Sequence, residues 1–162
     1  MPKRVLLFGN SGSGKSTYAK YLSETYGLAH LDLDTLAWLP TTPPQRQPIA
    51  ESAVAINGFM DTHPTWVIEG CYTDLLAVAA ERATEAIWMN LAIEDCVANA
   101  LARPWEPHKY ASKEAQDSNL PMLIDWIRQY ASRTDTFSLI AHRDFYNSFT
   151  GSKRTVTENE HR

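Results

Sequence analysis

A chain of 162 residues is long enough for one domain with its own core, and 44% hydrophobic with 21% charged residues excludes a chain that stays disordered. The formal net charge of -4 argues against a direct nucleic-acid footprint, which needs a basic stripe. No stretch approaches the ~18 apolar residues of a membrane span.

Near the start, Val5-Leu6-Leu7-Phe8 is a continuous β-prone apolar run closed by Gly9, the pattern of a central parallel strand buried on both faces. That run is too short for a signal sequence, so a cytoplasmic location is expected. From Lys15 the apolar residues Tyr18, Ala19, Leu22 and Tyr26 recur at helical spacing, and Gly27 stands where such a helix stops. Leu28 to Leu33 offers a second strand with Asp32 and Asp34 at its exit. Pro40, Pro43, Pro44 and Pro48 make residues 38–48 a stiffened loop. A helix is expected from about Ile49 to Met60, a third strand over 65–68 ending at Glu69-Gly70, and a helix from about Thr73 to Arg82. Ala86 to Met89 reads as the fourth strand. Ile93, Val97, Ala100 and Leu101 form a helical stripe ended by Pro104, and the polar residues 103–118 read as a mobile loop. Further stripes at Leu123, Ile127 and Tyr130, and at Phe137, Ile140, Ala141, Phe145 and Phe149, predict two more helices. Thr136 is the expected cap of the last one, Gly151 its end. Lys153 to Thr157 is a short fifth strand.

Strands alternating with helices predict an α/β fold, a parallel sheet with helices on both faces. Ligands of such sheets sit at the carboxyl ends of the strands. Gly9, Asp32, Asp34, Glu69 and Asn90 all fall at that edge.

Gly9-Asn10-Ser11-Gly12-Ser13-Gly14-Lys15-Ser16 matches G-x-x-x-x-G-K-[ST] at every fixed position, between a strand and a helix as the motif requires. Its glycines let successive N–H groups turn inward to form an anion nest, and the following helix adds its positive end. Lys15 supplies a charge for the β- and γ-phosphates, Ser16 a hydroxyl for Mg²⁺, and Thr17 completes the segment. The cofactors expected from this loop are ATP and Mg²⁺. Cys71 and Cys96 have no zinc-ligand spacing and read as plain thiols of a reducing compartment.

The opening strand and loop, His-Leu-Asp-Leu-Asp at 30–34 with Trp38, Trp-Val-Ile-Glu-Gly at 66–70, and Arg82 before the fourth strand together resemble the DNA topology modulation proteins, small bacterial relatives of adenylate kinase and shikimate kinase. The resemblance implies one domain over 1–162 with a three-layer P-loop NTPase fold like that of nucleoside-monophosphate kinases. Its parallel sheet would have five strands in the order 2-3-1-4-5, with a substrate-binding segment at about 35–62 and a lid at about 103–118. By likeness to shikimate kinase, Asp32 would help hold Mg²⁺, while Asp34 would grip an acceptor hydroxyl and act as base. The alternative for both acids is that they cap the turn they open. Glu69 and Gly70 would lie against the substrate, although relatives carry Asp-Gly and a polar residue where this chain has Glu69-Gly70-Cys71. Arg103 and Arg133 are the candidates to meet charge on the transferred group, ahead of Arg128. Arg82 is expected to bind an acceptor anion or pair with neighbouring acids, and Trp38 and Trp105 to wall the pocket or serve packing. His30, His63, His108 and His142 have no motif beside them and are assigned no role.

The leading expectation is a small-molecule kinase that takes a nucleoside triphosphate and a phosphoryl acceptor. The alternative is a nucleotide-dependent regulatory or binding protein, favoured by the sparse lid arginine. A GTPase would need an Asn-Lys-x-Asp pattern, which the sequence does not contain. Relatives often add a helix after the fifth strand, so a second copy covering that face, in a homodimer, is also expected.

Overall fold

In the computed structural model, which describes residues 2–160, the first apolar run forms strand β1 (Arg4–Gly9). It is followed by helix α1 (Lys15–Tyr26), strand β2 (Ala29–Asp32), a one-turn helix α2 (Asp34–Ala37) and a pair of two-residue strands, β3 (Trp38–Leu39) and β4 (Gln45–Arg46). Then come α3 (Ile49–Thr62), β5 (Trp66–Gly70), α4 (Thr73–Ala79), β6 (Glu85–Met89), α5 (Ile93–Ala102), α6 (Lys113–Arg128), α7 (Leu139–Ser148) and β7 (Ser152–Val156).

The five longer strands are all parallel, in the order β2-β5-β1-β6-β7. Counting only those five, this is the expected 2-3-1-4-5 order, and the fold is that of P-loop kinases. Side chains alternate across the sheet with period two. Val5, Leu7, Val67, Ile87 and Met89 point to one face, where α1, α5 and α6 pack through Leu22, Val97 and Ile127. Leu6, Phe8, Ile68 and Trp88 point to the other, against Ile56 of α3, Leu75 of α4 and Phe145 of α7. Residues 5–8 are fully buried, because helices cover β1 on both sides. The sheet edge at β7 carries exposed Lys153 and Arg154, charges that discourage addition of a further strand.

Four local readings are corrected. The loop at 38–48 contains a small antiparallel pair, Trp38 facing Arg46 and Leu39 facing Gln45. Residues 113–118 are not loop but the first turns of α6, which Ser112 caps by accepting from the Ala115 N–H at 3.1 Å; the loop is therefore 103–112. Helix α7 is capped by Ser138 rather than Thr136. Thr136 instead accepts from the Asp74 N–H at 3.0 Å and so fastens the start of α4. Gly151 lies beyond the helix end at Phe149 and leaves room for the Phe149 ring, which a Cβ there would meet at 2.7 Å. Among the described residues no helix is long and apolar enough to cross a membrane.

Candidate functional site

The loop between β1 and α1 turns on glycines whose conformation or neighbours admit no side chain. Gly12 has φ 77°, and a Cβ there would lie 2.4 Å from the Cys96 carbonyl oxygen. Gly14 stands at the start of α1 in the left-handed region, φ 88°. Asn10 is buried, and its amide donates to the Ile127 carbonyl at 3.2 Å, tying the loop to the end of α6. The Asn10 carbonyl accepts both the Ser13 N–H at 3.2 Å and the Lys15 ammonium at 2.8 Å. The Ser13 hydroxyl is buried without a partner. Left-handed glycines, an amine folded back on its own loop and an orphaned hydroxyl are together the donor set that a polyphosphate would satisfy.

Register places Asp32 opposite Glu69 in the parallel pairing of β2 with β5. Glu69 is 2% exposed, yet it is fully partnered: Oε1 accepts from the Ser16 hydroxyl at 2.9 Å, and Oε2 meets His30 Nε2 at 3.0 Å. The hydrogen bond to Glu69 outweighs burial and raises the His30 pKa above its ordinary value. Asp32 is held above the usual carboxylate range by burial, with the charges of Glu69 and Asp34 adding to it. Its Oδ1 accepts from the Asp34 N–H at 2.9 Å, so Asp32 also closes the turn into α2. Among the described residues no three His, Cys, Asp or Glu side chains gather into a metal-binding cluster. A single hydroxyl with nearby acids suits Mg²⁺, which keeps much of its water and takes phosphate oxygens.

Asp34 stands at the start of α2 with its side chain 43% exposed. Its Oδ1 accepts from the Tyr72 hydroxyl, which in turn accepts from the Trp38 indole N–H at 2.9 Å. Its Oδ2 faces Lys109 of the 103–112 loop at 3.4 Å. Burial pulls the Lys109 ammonium down, but Asp34, Glu106 and Asp32 outweigh it and hold its pKa above the ordinary value.

Of the two arginines expected here, Arg103 borders the phosphate loop. Arg103 lines a cleft of about 110 Å³ with Gly12, Gly14, Thr17, Asn99 and Pro104, and pairs with Glu106 at 3.3 Å. Arg133 sits over the Trp126 ring, its Cζ 3.5 Å from the centroid. It donates to the Trp126 carbonyl at 2.7 Å and pairs with Asp135 at 3.1 Å, while one terminal nitrogen, Nη2, is buried and unpartnered. Arg128 instead pairs with Glu94 at 2.5 Å on the surface.

Two expected substrate contacts are corrected. Arg82 lies at the opposite edge of the sheet, just before Thr84, which pairs with Arg4 at the start of β1. There it binds Asp61 at 2.9 Å and the Met60 carbonyl at 3.3 Å. Gly70 is buried, and a Cβ there would meet Leu33 at 2.9 Å; the glycine admits core packing, not a substrate.

Sequence reasoning missed Tyr72, Lys109, His30 and Arg46. Arg46 sits 5.0 Å from the Tyr72 ring and 5.4 Å from that of Phe137, with Asp74 at 3.0 Å. The one signal for His30 was its alternation with Asp32 on the strand. Lys109 carried none, lying 75 positions from Asp34. Beneath the site, His142 Nε2 donates to the Cys71 carbonyl at 2.8 Å, and its Nδ1 accepts from the Tyr130 hydroxyl at 2.6 Å. Burial pushes the Cys71 thiol up to about 12, so it is inert at neutral pH.

No protein-family model matches this chain, and no curated protein does. Among solved structures it is similar to a sugar kinase from Janibacter sp. HTCC2649, in an unliganded structure, with a TM-score of 0.52 and 12% identity over 97% of this chain and 86% of that one. At that identity the likeness is one of fold.

Proposed function

We propose that this chain is a Mg-ATP-dependent phosphotransferase acting on a hydroxyl of a small molecule, in line with its resemblance to the DNA topology modulation proteins. The observation that carries the reading is the 2.9 Å contact of Ser16 Oγ with Glu69 Oε1 beneath the phosphate loop, with Asp34 at the neighbouring strand exit. Ser16 and Asp32 are the residues that would hold Mg²⁺, Asp32 through water, with Glu69 orienting the Ser16 hydroxyl. Bound there, the ion neutralises charge on the β- and γ-phosphates.

The remaining work falls to side chains. Lys15 swings from the Asn10 carbonyl to the phosphates. Asp34 takes the proton of the acceptor hydroxyl as that oxygen bonds to the γ-phosphorus; the bond from phosphorus to the β-bridging oxygen breaks, and ADP leaves. Arg133, with its unpartnered nitrogen, and Arg103 meet charge on the moving group. Closure of the 103–112 loop over Asp34 excludes water and favours transfer over hydrolysis.

Thermal shift with ATP or ADP and Mg²⁺ tests the first half. Nucleotide at a hundred times its Kd stabilises by ~2.7 kcal/mol. Lys15→Ala removes that gain. Stabilisation by nucleotide without transfer to any hydroxylated acceptor would instead select the regulatory reading.

A further inference from the structure

Resting on the phosphotransferase reading, we propose that the acceptor is an uncharged, hydroxylated ring, of the monosaccharide or nucleoside kind, rather than a phosphorylated or carboxylated molecule. It would stack on Trp38 and present a hydroxyl to Asp34.

Charge carries the first part. Residues 29–81, which include the whole segment expected to hold the acceptor, contain one lysine or arginine, Arg46. Arg46 is ion-paired: one terminal nitrogen, Nη2, meets both Asp74 oxygens, at 3.0 and 3.2 Å, while its Nε is buried without a hydrogen-bond partner. Its guanidinium lies near the rings of Tyr72, Phe137 and Trp38, at 5.0, 5.4 and 5.9 Å. Arg82, which would have received an anion, is at the far edge of the sheet on Asp61. Facing the acceptor position are the acids Asp32 and Asp34, with Glu69 behind them. Lys109 is shared between Asp34 at 3.4 Å and Glu106 at 3.8 Å, so it offsets acidic charge already present. An anionic acceptor would meet the carboxylates of Asp32, Asp34 and Glu69, while Arg46 is balanced by Asp74 and Arg103 and Arg133 serve the transferred group.

The polar pattern carries the second part. Trp38 gives its only donor, the indole N–H, to Tyr72, yet the residue is 41% exposed. What it offers solvent is therefore ring surface, beside an accessible carboxylate. An apolar flat face flanked by a few placed acceptor atoms suits a ligand with C–H faces and hydroxyl edges.

The test uses the full chain with Mg-ATP and follows ADP release with matched pairs of acceptors at about 10 mM, above ordinary KM values. Each pair sets a neutral compound against its anionic form: glucose and glucose 6-phosphate, ribose and ribose 5-phosphate, adenosine and AMP, guanosine and GMP. In at least one pair the neutral member is expected to win in kcat/KM by roughly 100-fold. The sugar and nucleoside arms separate the two sources of that chemistry. Trp38→Ala should raise KM for the neutral acceptor about tenfold, and Trp38→Phe, which keeps a ring without the N–H, should restore most of it. Preference for the phosphorylated member overturns the inference and leaves the kinase reading standing. Absence of turnover and of any added thermal shift across the panel, with Mg-ADP still bound, also overturns the inference and selects the regulatory reading; loss of nucleotide binding itself strikes the phosphate-loop reading beneath both.

Discussion

Ser16 and Glu69, 53 positions apart, are joined by a 2.9 Å hydrogen bond that couples the phosphate loop to the end of β5. Parallel pairing of β1 with β5 sets this distance: Leu7 lies opposite Glu69, and Phe8 opposite Gly70, so the acid emerges beneath the first turn of α1. Glu69→Gln keeps the volume but exchanges a charged double acceptor for a single neutral one. We expect kcat/KM for Mg-ATP to fall about 10- to 100-fold with a near-native melting temperature. Unchanged kinetics in this variant would remove Glu69 from the site.

At Gly12 the left-handed backbone and the nearby Cys96 carbonyl exclude any side chain. Gly12→Ala should displace the loop and cost about 1–3 kcal/mol of stability. Nucleotide-induced stabilisation should disappear with it. A chemical denaturation curve and a nucleotide titration on the same sample check both, and an alanine variant that binds Mg-ADP normally would contradict the cradle geometry.

His142 gives the chain a pH dependence of its own. Burial first, and then the charges of Lys15 and Arg133, lower its pKa from 6.5 to about 4, while its bond to the Cys71 carbonyl opposes them. Its folded value is depressed, so between about pH 6.5 and 4 the unfolded chain binds a proton that the native one refuses. The stability that neutral His142 preserves is complete above the unfolded value and lost as pH falls toward the folded one, a change on the order of 3 kcal/mol. Denaturant midpoints across that window should slope down toward acid in the wild type and less steeply in His142→Gln. Equal slopes would show that other groups govern acid unfolding.

Arg82 provides the opposite expectation. Its partner Asp61 is exposed and the pair lies away from the loop. Arg82→Ala should cost no more than ~1 kcal/mol and leave kcat and KM within about twofold. A large kinetic defect would return Arg82 to the acceptor site.

The fold was legible because its signals are local. Val5 to Phe8 read as a doubly buried strand without any partner being known, and Gly9 to Ser16 matched a motif whose chemistry is its own backbone. Helix starts were harder. Ser112 and Ser138 cap α6 and α7, whereas a polar stretch before one and a threonine before the other pointed elsewhere; capping depends on which hydroxyl meets a free N–H, and composition does not carry that geometry. At the site, Asp32 serves the turn, as its alternative reading allowed, and also lies opposite Glu69.

By itself, the amino-acid sequence determined the alternation of strands and helices, the sheet edge on which ligands sit, and the phosphate loop, since each follows from spacing along a few residues. Tertiary structure alone decided which charges meet. Sheet order sent Arg82 to the far edge and brought His30 to Glu69, while loop packing brought Lys109 to Asp34 and Arg46 to Asp74. Pairings between side chains 21 to 75 positions apart are set by register, packing and layer, and no local pattern encodes them.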